Sequence, residues 1–251
     1  MVVDMAKCAA AKAALRQALA ANCGNTKDKT VIDAIANLQS LNPTTVIAES
    51  GNLMDNEWLL ISAPNFPQGE KLADGKFIYT LGRLAFNMFQ PTGIKVVIDR
   101  VLQPVFLLGN GKQRSHDIVV EFTTIDDSIP QLSGIVRNQG ICQIVSDTIL
   151  QVEFTGGTLK PKSSTNIDEW KAVFGGQSKS KKTSWKDSLT SVFFRLMFGI
   201  IPPQSMNPET GETSFIMNRS PKGRLEILYL DEELRITCGE KGTILVCERL
   251  L

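Results

Sequence analysis

Side chains able to do polar chemistry are few in this sequence. His116 is the sole histidine among 251 residues, so a multi-histidine metal site is excluded and a Ser–His–Asp relay would rest on this one residue. It opens the run HDIVVEF beside Asp117, a place expected of an edge or surface residue rather than a general base. Residues 109–115 (GNGKQRS) fail as a phosphate-binding loop. The first glycine of that pattern would fall on Phe106, and Lys112 is followed by Gln113 where a hydroxyl is needed. Asp126-Asp127 before Ser128 reads as turn chemistry, and Asp231 beside Glu232 reads the same way, because Asp accepts bonds from its own backbone. Cys8, Cys23, Cys142, Cys238 and Cys247 are an odd set without CxxC spacing, which disfavours a disulfide framework and a zinc knuckle and suits a reducing compartment. No catalytic residue, metal or cofactor is expected. With 27 Lys and Arg against 26 Asp and Glu, the net charge of +1 draws in no nucleic acid.

The elements that must position these residues fall into two parts. Residues 6–21 are Ala-rich with Leu15 and Leu19 four apart, and Gly24 stands where that helix would end. Thr26 can cap a second helix with Val31, Ile32, Ile35 and Leu38 on one side, stopped at Asn42-Pro43. A helical hairpin over residues 1–45 is expected to pack on a β domain over 46–251, the two forming one folding unit. From Trp58 on, short runs separated by Gly, Pro and Asn predict antiparallel strands: WLLIS, FIYTL, RLAFNMF, HDIVVEF, DTILQVEF, GRLEILYL, ELRIT and TILVCE. Leu84, Phe86 and Met88 alternate with polar neighbours, as do Ile118, Val120 and Phe122, and Leu150, Val152 and Phe154. One face is then buried and the other wet, as in a sheet closed on itself or folded over its own core. The last three strands read as a meander, turning at Asp231-Glu232 and again between Gly239 and Gly242. Residues 175–187 (GGQSKSKKTSWKD) read as a polar loop. No secretory signal and no run of about 20 apolar residues is seen, so a soluble or surface-bound protein is expected.

Taken in order, QSLNP after the hairpin, EWLLIS, LGRLAFNMFQP and the closing GRLEILYLDEELRITCGEKGTILVCERLL resemble the plastid lipid-associated protein family. Its members, also called fibrillins or plastoglobulins, occur in plastids and cyanobacteria. The likeness covers most of the chain and is most specific at Tyr229, Leu230, Asp231, Leu234, Arg235 and Ile236, a Tyr-Leu-Asp-x-x-Leu-Arg-Ile pattern. The resemblance implies a lipocalin-like antiparallel β-barrel, thylakoid or lipid-body association, and binding or organisation of prenyl lipids, quinones or carotenoids, with no catalytic residues. The Gly-x-Trp start common in lipocalins is replaced by Asn56, Glu57 and Trp58, so the tight turn that glycine permits must be made otherwise.

Under that resemblance Trp58 is either a core aromatic or a barrel floor covered by a stacked arginine, Arg235 or Arg249. Phe86, Met88, Phe122, Phe154, Ile227 and Ile236 can line a lipid cavity or fill it. Tyr79 and Tyr229 are candidate polar tips for orienting a ring, or tyrosines bonded to backbone. A basic stretch with Lys181, Lys182 and Trp185 feeds an apolar one with Phe193, Phe194, Met197 and Phe198, the pattern of a peripheral membrane contact or of a solvated loop before a buried element. Non-enzymatic lipid binding at photosynthetic membranes is the leading reading, in a cyanobacterium or a processed plastid protein. Its rivals are a filled barrel that recruits a protein, such as a prenyl-lipid biosynthetic enzyme, and a lipocalin-type bilin lyase.

Overall fold

Half-buried alternating strands need neighbours on both sides, and this chain supplies them by pairing each long strand with the next. The computed structural model describes residues 5–72, 77–176, 199–201, 203, 205–220 and 222–250. It opens with α1 (Met5–Ala21) and α2 (Lys29–Ser40), then a 3-10 turn (Ile47–Ser50) that runs into α3 (Gly51–Met54). Next come β1 (Asn56–Leu60), β2 (Glu70–Lys71), β3 (Phe77–Thr80), α4 (Leu81–Leu84), β4 (Lys95–Val105), β5 (Arg114–Ser115) and β6 (Ile118–Thr124). The remainder is β7 (Ser133–Ile144), β8 (Ile149–Pro161), α5 (Ile167–Phe174), β9 (Ile200–Ile201), β10 (Thr213–Met217), β11 (Gly223–Leu230), β12 (Leu234–Gly239) and β13 (Ile244–Arg249).

Strands β1, β4, β6, β7, β8, β11, β12 and β13 are joined antiparallel in that order, and β13 pairs back onto β1, so these eight close a ring. Register shifts at Ile98/Arg100, Gln139/Gly140 and Ile227/Tyr229 bend it. With the short strands attached at its rims, the ring is not a regular barrel. The mainly antiparallel β architecture with N-terminal helices is the one expected.

Inward rows fill the ring. Val96, Val101, Val120, Phe122, Val136 and Leu159 form one half of the core, and the segment 81–89 enters it with Leu81, Leu84, Ala85, Met88 and Phe89. Trp170 and Phe174 of α5 close that half, the Trp170 ring centroid 6.5 Å from Phe122. In the other half Ile47 and Met54 pack beneath Trp58, Val105, Leu150 and Ile227. The Trp58 indole donates to Met54 O at 2.9 Å, so β1 is entered from α3 rather than from a glycine turn.

Three local expectations are corrected. RLAFNMF is not a strand: Phe86 and Asn87 take φ of 52° and 58°, and the buried residues 81, 84, 85, 88 and 89 follow helical rather than twofold spacing. Asp28, not Thr26, caps α2, accepting from Thr30 N at 2.8 Å. Ile32 is exposed, while Val31, Ile35 and Leu38 are buried.

The hairpin of α1 and α2 covers the outer face of the last strands, where Leu15, Leu19, Val31, Ile35 and Leu38 meet Tyr229, Leu234, Ile236 and Val246. A polar clamp fixes it there. Lys12 Nζ lies 2.9 Å from Asp231 and 3.0 Å from Glu233. Tyr229 Oη donates to Asp231 Oδ2 at 2.7 Å, and the amides of Glu233 and Leu234 donate to Oδ1. Below the hairpin, Asn42 Oδ1 accepts from Leu230 N and the Thr44 hydroxyl donates to Leu230 O at 2.7 Å. Burial alone would raise the Asp231 pKa, but Tyr229, Lys12 and the turn amides outweigh it and hold it below the ordinary value. Since the unfolded chain then takes up its proton first as pH falls, this stabilisation is complete above the usual carboxylate range and is lost as pH drops through the folded pKa. Asp231→Asn is expected to cost about 2 kcal/mol at neutral pH in urea unfolding and to flatten the acid limb of stability against pH.

Candidate functional site

Along one side of β4, residues 95–97 pair with β3 and residues 102–105 pair with β1. The stretch between them, at the Ile98/Arg100 register shift, faces a gap. A cleft of about 220 Å³ opens there, with Leu60, Phe77, Tyr79, Ile98 and Val101 in its walls and Cys23 and Ser62 among its lining. A second cleft of about 400 Å³ adjoins it across Cys23, Ala63, Pro64, Phe77 and Tyr79 and runs out past Phe66 and Lys71 to the turn at Gly242.

Two glycines hold the walls close. Gly24 sits at φ 74°, and a Cβ on it would lie 2.4 Å from Ala63 N. Through that contact Gly24 O accepts from Ala63 N at 2.8 Å, tying the hairpin turn to the segment after β1. Gly69 crosses the Tyr79 ring, 2.5 Å from where a Cβ would stand. Phe66 meets Tyr79 edge-on at 5.8 Å, and Phe77 stacks on it at 6.1 Å. Tyr79 Oη donates to Pro64 O at 2.9 Å, and burial pushes its pKa up, so the phenol stays neutral. Charges keep to the lips: Asp99 accepts from the Thr123 hydroxyl at 2.9 Å, and Arg100 Nη2 donates to Glu121 at 2.6 Å. An aromatic and aliphatic cleft with neutral hydroxyls inside suits an apolar ring or chain.

One side-chain row further along the strands, Trp58 follows Leu60 on β1 and Gln103 follows Val101 on β4. Over the indole lie both candidate arginines, Arg235 Cζ 4.9 Å and Arg249 Cζ 5.6 Å from the ring centroid. Arg235 Nη2 donates to Gln103 Oε1 at 2.6 Å. His116 is not at the surface as expected but buried, because its amide donates to Gly140 O inside the sheet. Burial, and then the charge of Arg235, push its pKa down to about 3, so the imidazole is neutral and is no general base toward an exposed substrate.

Of the residues expected at a ligand site, the structure brings Met88 and Phe122 into one core, against which Tyr79 packs from the cleft and Phe154 from the side. Trp58 and Ile227 lie together in the other half. Tyr229 and Ile236 face outward beneath the hairpin, because the register shift at Ile227/Tyr229 reverses the side-chain sense along β11. Phe86, expected to point inward from a strand, is 48% exposed in its turn, its ring 5.3 Å from Phe154. The membrane-contact candidates Lys181, Lys182, Trp185, Phe193, Phe194, Met197 and Phe198 lie outside the described residues. Sequence reasoning missed Leu60, Phe66, Phe77 and Ile98 as a group; the one local signal was an aromatic held between Pro64 and Pro67. Among the described residues no cluster of His, Cys, Asp and Glu could hold a metal, and no helix is long and apolar enough to cross a membrane.

The PAP_fibrillin family model matches residues 13–248, and the chain belongs to that family of fibrillins, the plastid lipid-associated proteins. No curated protein and no solved structure matches it. Cys23 is exposed at the cleft mouth, Cys8, Cys142 and Cys247 are buried, and the pKa of half-buried Cys238 is raised by burial and then by Glu226. Titration with a thiol reagent is therefore expected to show one fast cysteine, identified as Cys23 by peptide mapping, with the buried three reacting only on unfolding.

Proposed function

We propose that this fibrillin-family protein binds a hydrophobic small molecule, a prenyl lipid, quinone or carotenoid, and performs no reaction on it. The ring acts as a lipocalin-like barrel entered from the side, between β1 and β3, and the hairpin (residues 1–45) and the ring domain (46–251) fold as one unit. The observation that supports this is the aromatic cleft of Phe66, Phe77 and Tyr79, whose walls include Leu60 and Val101, residues that also pack into the apolar interior. At about 25 cal/mol per Å², an isoprenoid segment burying about 200 Å² gains about 5 kcal/mol with few polar contacts, so selectivity rests on shape. Family membership supports a site of action at thylakoids or lipid bodies, in a cyanobacterium or a plastid.

A second reading has its own observation. The interior is occupied by segment 81–89 and by Trp170, as a filled module that recruits a prenyl-lipid biosynthetic enzyme would be.

Organic extraction of the protein purified from a photosynthetic host, followed by mass spectrometry, separates the two. A stoichiometric lipophilic molecule is expected, reduced about tenfold in Phe77→Asp, whose side chain is only half-buried, while the melting temperature stays close to that of the parent. An empty extract from the parent protein would remove the carrier reading. Phe122→Asp is expected to fail differently: with the ring fully buried against Trp170, it loses the fold itself, seen as loss of a cooperative melt.

A further inference from the structure

Arg235 is 1% exposed, and an arginine cannot discharge by losing its proton. Among the described residues no carboxylate pairs with it. The ionisable groups that face it are the thiols of Cys247 and Cys142, the neutral imidazole of His116, and Arg249 across the same indole. Its Nη2 is held by Gln103, but its Nε has no partner, and the same is true of the Nε of Arg249 over the same indole and of His116 Nδ1. Native interiors rarely leave such atoms unmatched. An unpaired cation in a low-dielectric interior is costly, and an anion brought to it recovers that cost.

The first cleft ends one side-chain row short of it. Leu60 and Val101 line the cleft, and Trp58 and Gln103, which hold Arg235, stand two residues further along the same strand faces, roughly 6.6–6.8 Å along the strands; a head group reaches Arg235 by parting that one row. We propose that this row is the head-group site of an anionic amphiphile, a long-chain carboxylate. Its carboxylate is received by Arg235, and its chain runs back past Val101, Leu60 and Ile98 to the aromatic cleft. The donors left over are few, the Nε–H groups of Arg235 and of Arg249, which suits the two oxygens of a carboxylate better than a phosphate, whose greater charge and three acceptor oxygens need more donors. This assignment rests on the ligand-carrying reading and specifies the class of ligand.

The test is equilibrium binding of oleate and of methyl oleate to the full chain, with carbon-13 NMR of carboxyl-labelled oleate in the complex. One oleate per chain is expected, bound at least about tenfold more tightly than the ester, with a carboxyl resonance that does not titrate between about pH 8 and about pH 5 because Arg235 holds it ionised. Arg235→Met keeps an unbranched apolar stem over Trp58 and is expected to bind acid and ester alike. Equal affinities in the parent protein, with a carboxyl resonance that titrates normally, would overturn the head-group site and leave the apolar cleft standing. Failure of both ligands to bind would overturn the cleft as well. Should Arg235→Met not fold, the resonance measured on the parent complex decides alone.

Discussion

A single guanidinium holds the ring together across its interior. Arg235 comes from β12, lies over the indole of Trp58 on β1 and donates to Gln103 on β4, while Arg249 of β13 covers the same indole from its own strand. A cation over a desolvated indole contributes up to about 2 kcal/mol, no more than a well-buried methyl pair. What it adds is placement: Trp58 is fixed by Met54 below and by cations above, so the strands that carry the first and last pairings of the ring are locked in one register.

The most family-specific stretch of the chain owes its pattern to working on two sides at once. Tyr229, Leu234 and Ile236 face the helical hairpin, Arg235 faces Trp58, and Asp231 turns the backbone between them while taking the Lys12 ammonium. Few side-chain sets meet all three demands, because a shift of one residue would send the arginine into the hairpin and an aliphatic group onto the indole. QSLNP has the same logic from the other side, since its Asn42 binds the backbone of Leu230.

Features set by neighbours in sequence were legible, and features set by neighbours in space were not. The arginine partners of Trp58 come from the family resemblance, while the two helices, the closing meander and the turns at Asp231 and Gly242 follow from local period and turn chemistry. Strands β4 and β7 do not, because Asp99-Arg100 and Pro104 interrupt one and Gly134, Asn138 and Gly140 the other. Both persist because long strands pair with them on either side. Segment 81–89 was misread because Leu84, Phe86 and Met88 alternate by chance, while the core selected residues 84, 85, 88 and 89. The cleft had no local signature beyond Phe66 between its two prolines, being assembled from Cys23, the chain after Leu60, β3 and the irregular middle of β4.

Closure of the ring by its first and last strands also bears on how the protein is made. Trp58 pairs with Arg249, so β1 keeps one edge bare until β13, far along the chain, docks on it. Contacts this distant in sequence form slowly, and a bare apolar edge is a template for wrong pairing with other chains. Until β13 docks, the bare edge of β1 is therefore open to wrong association, a hazard of the folding route rather than of the finished fold.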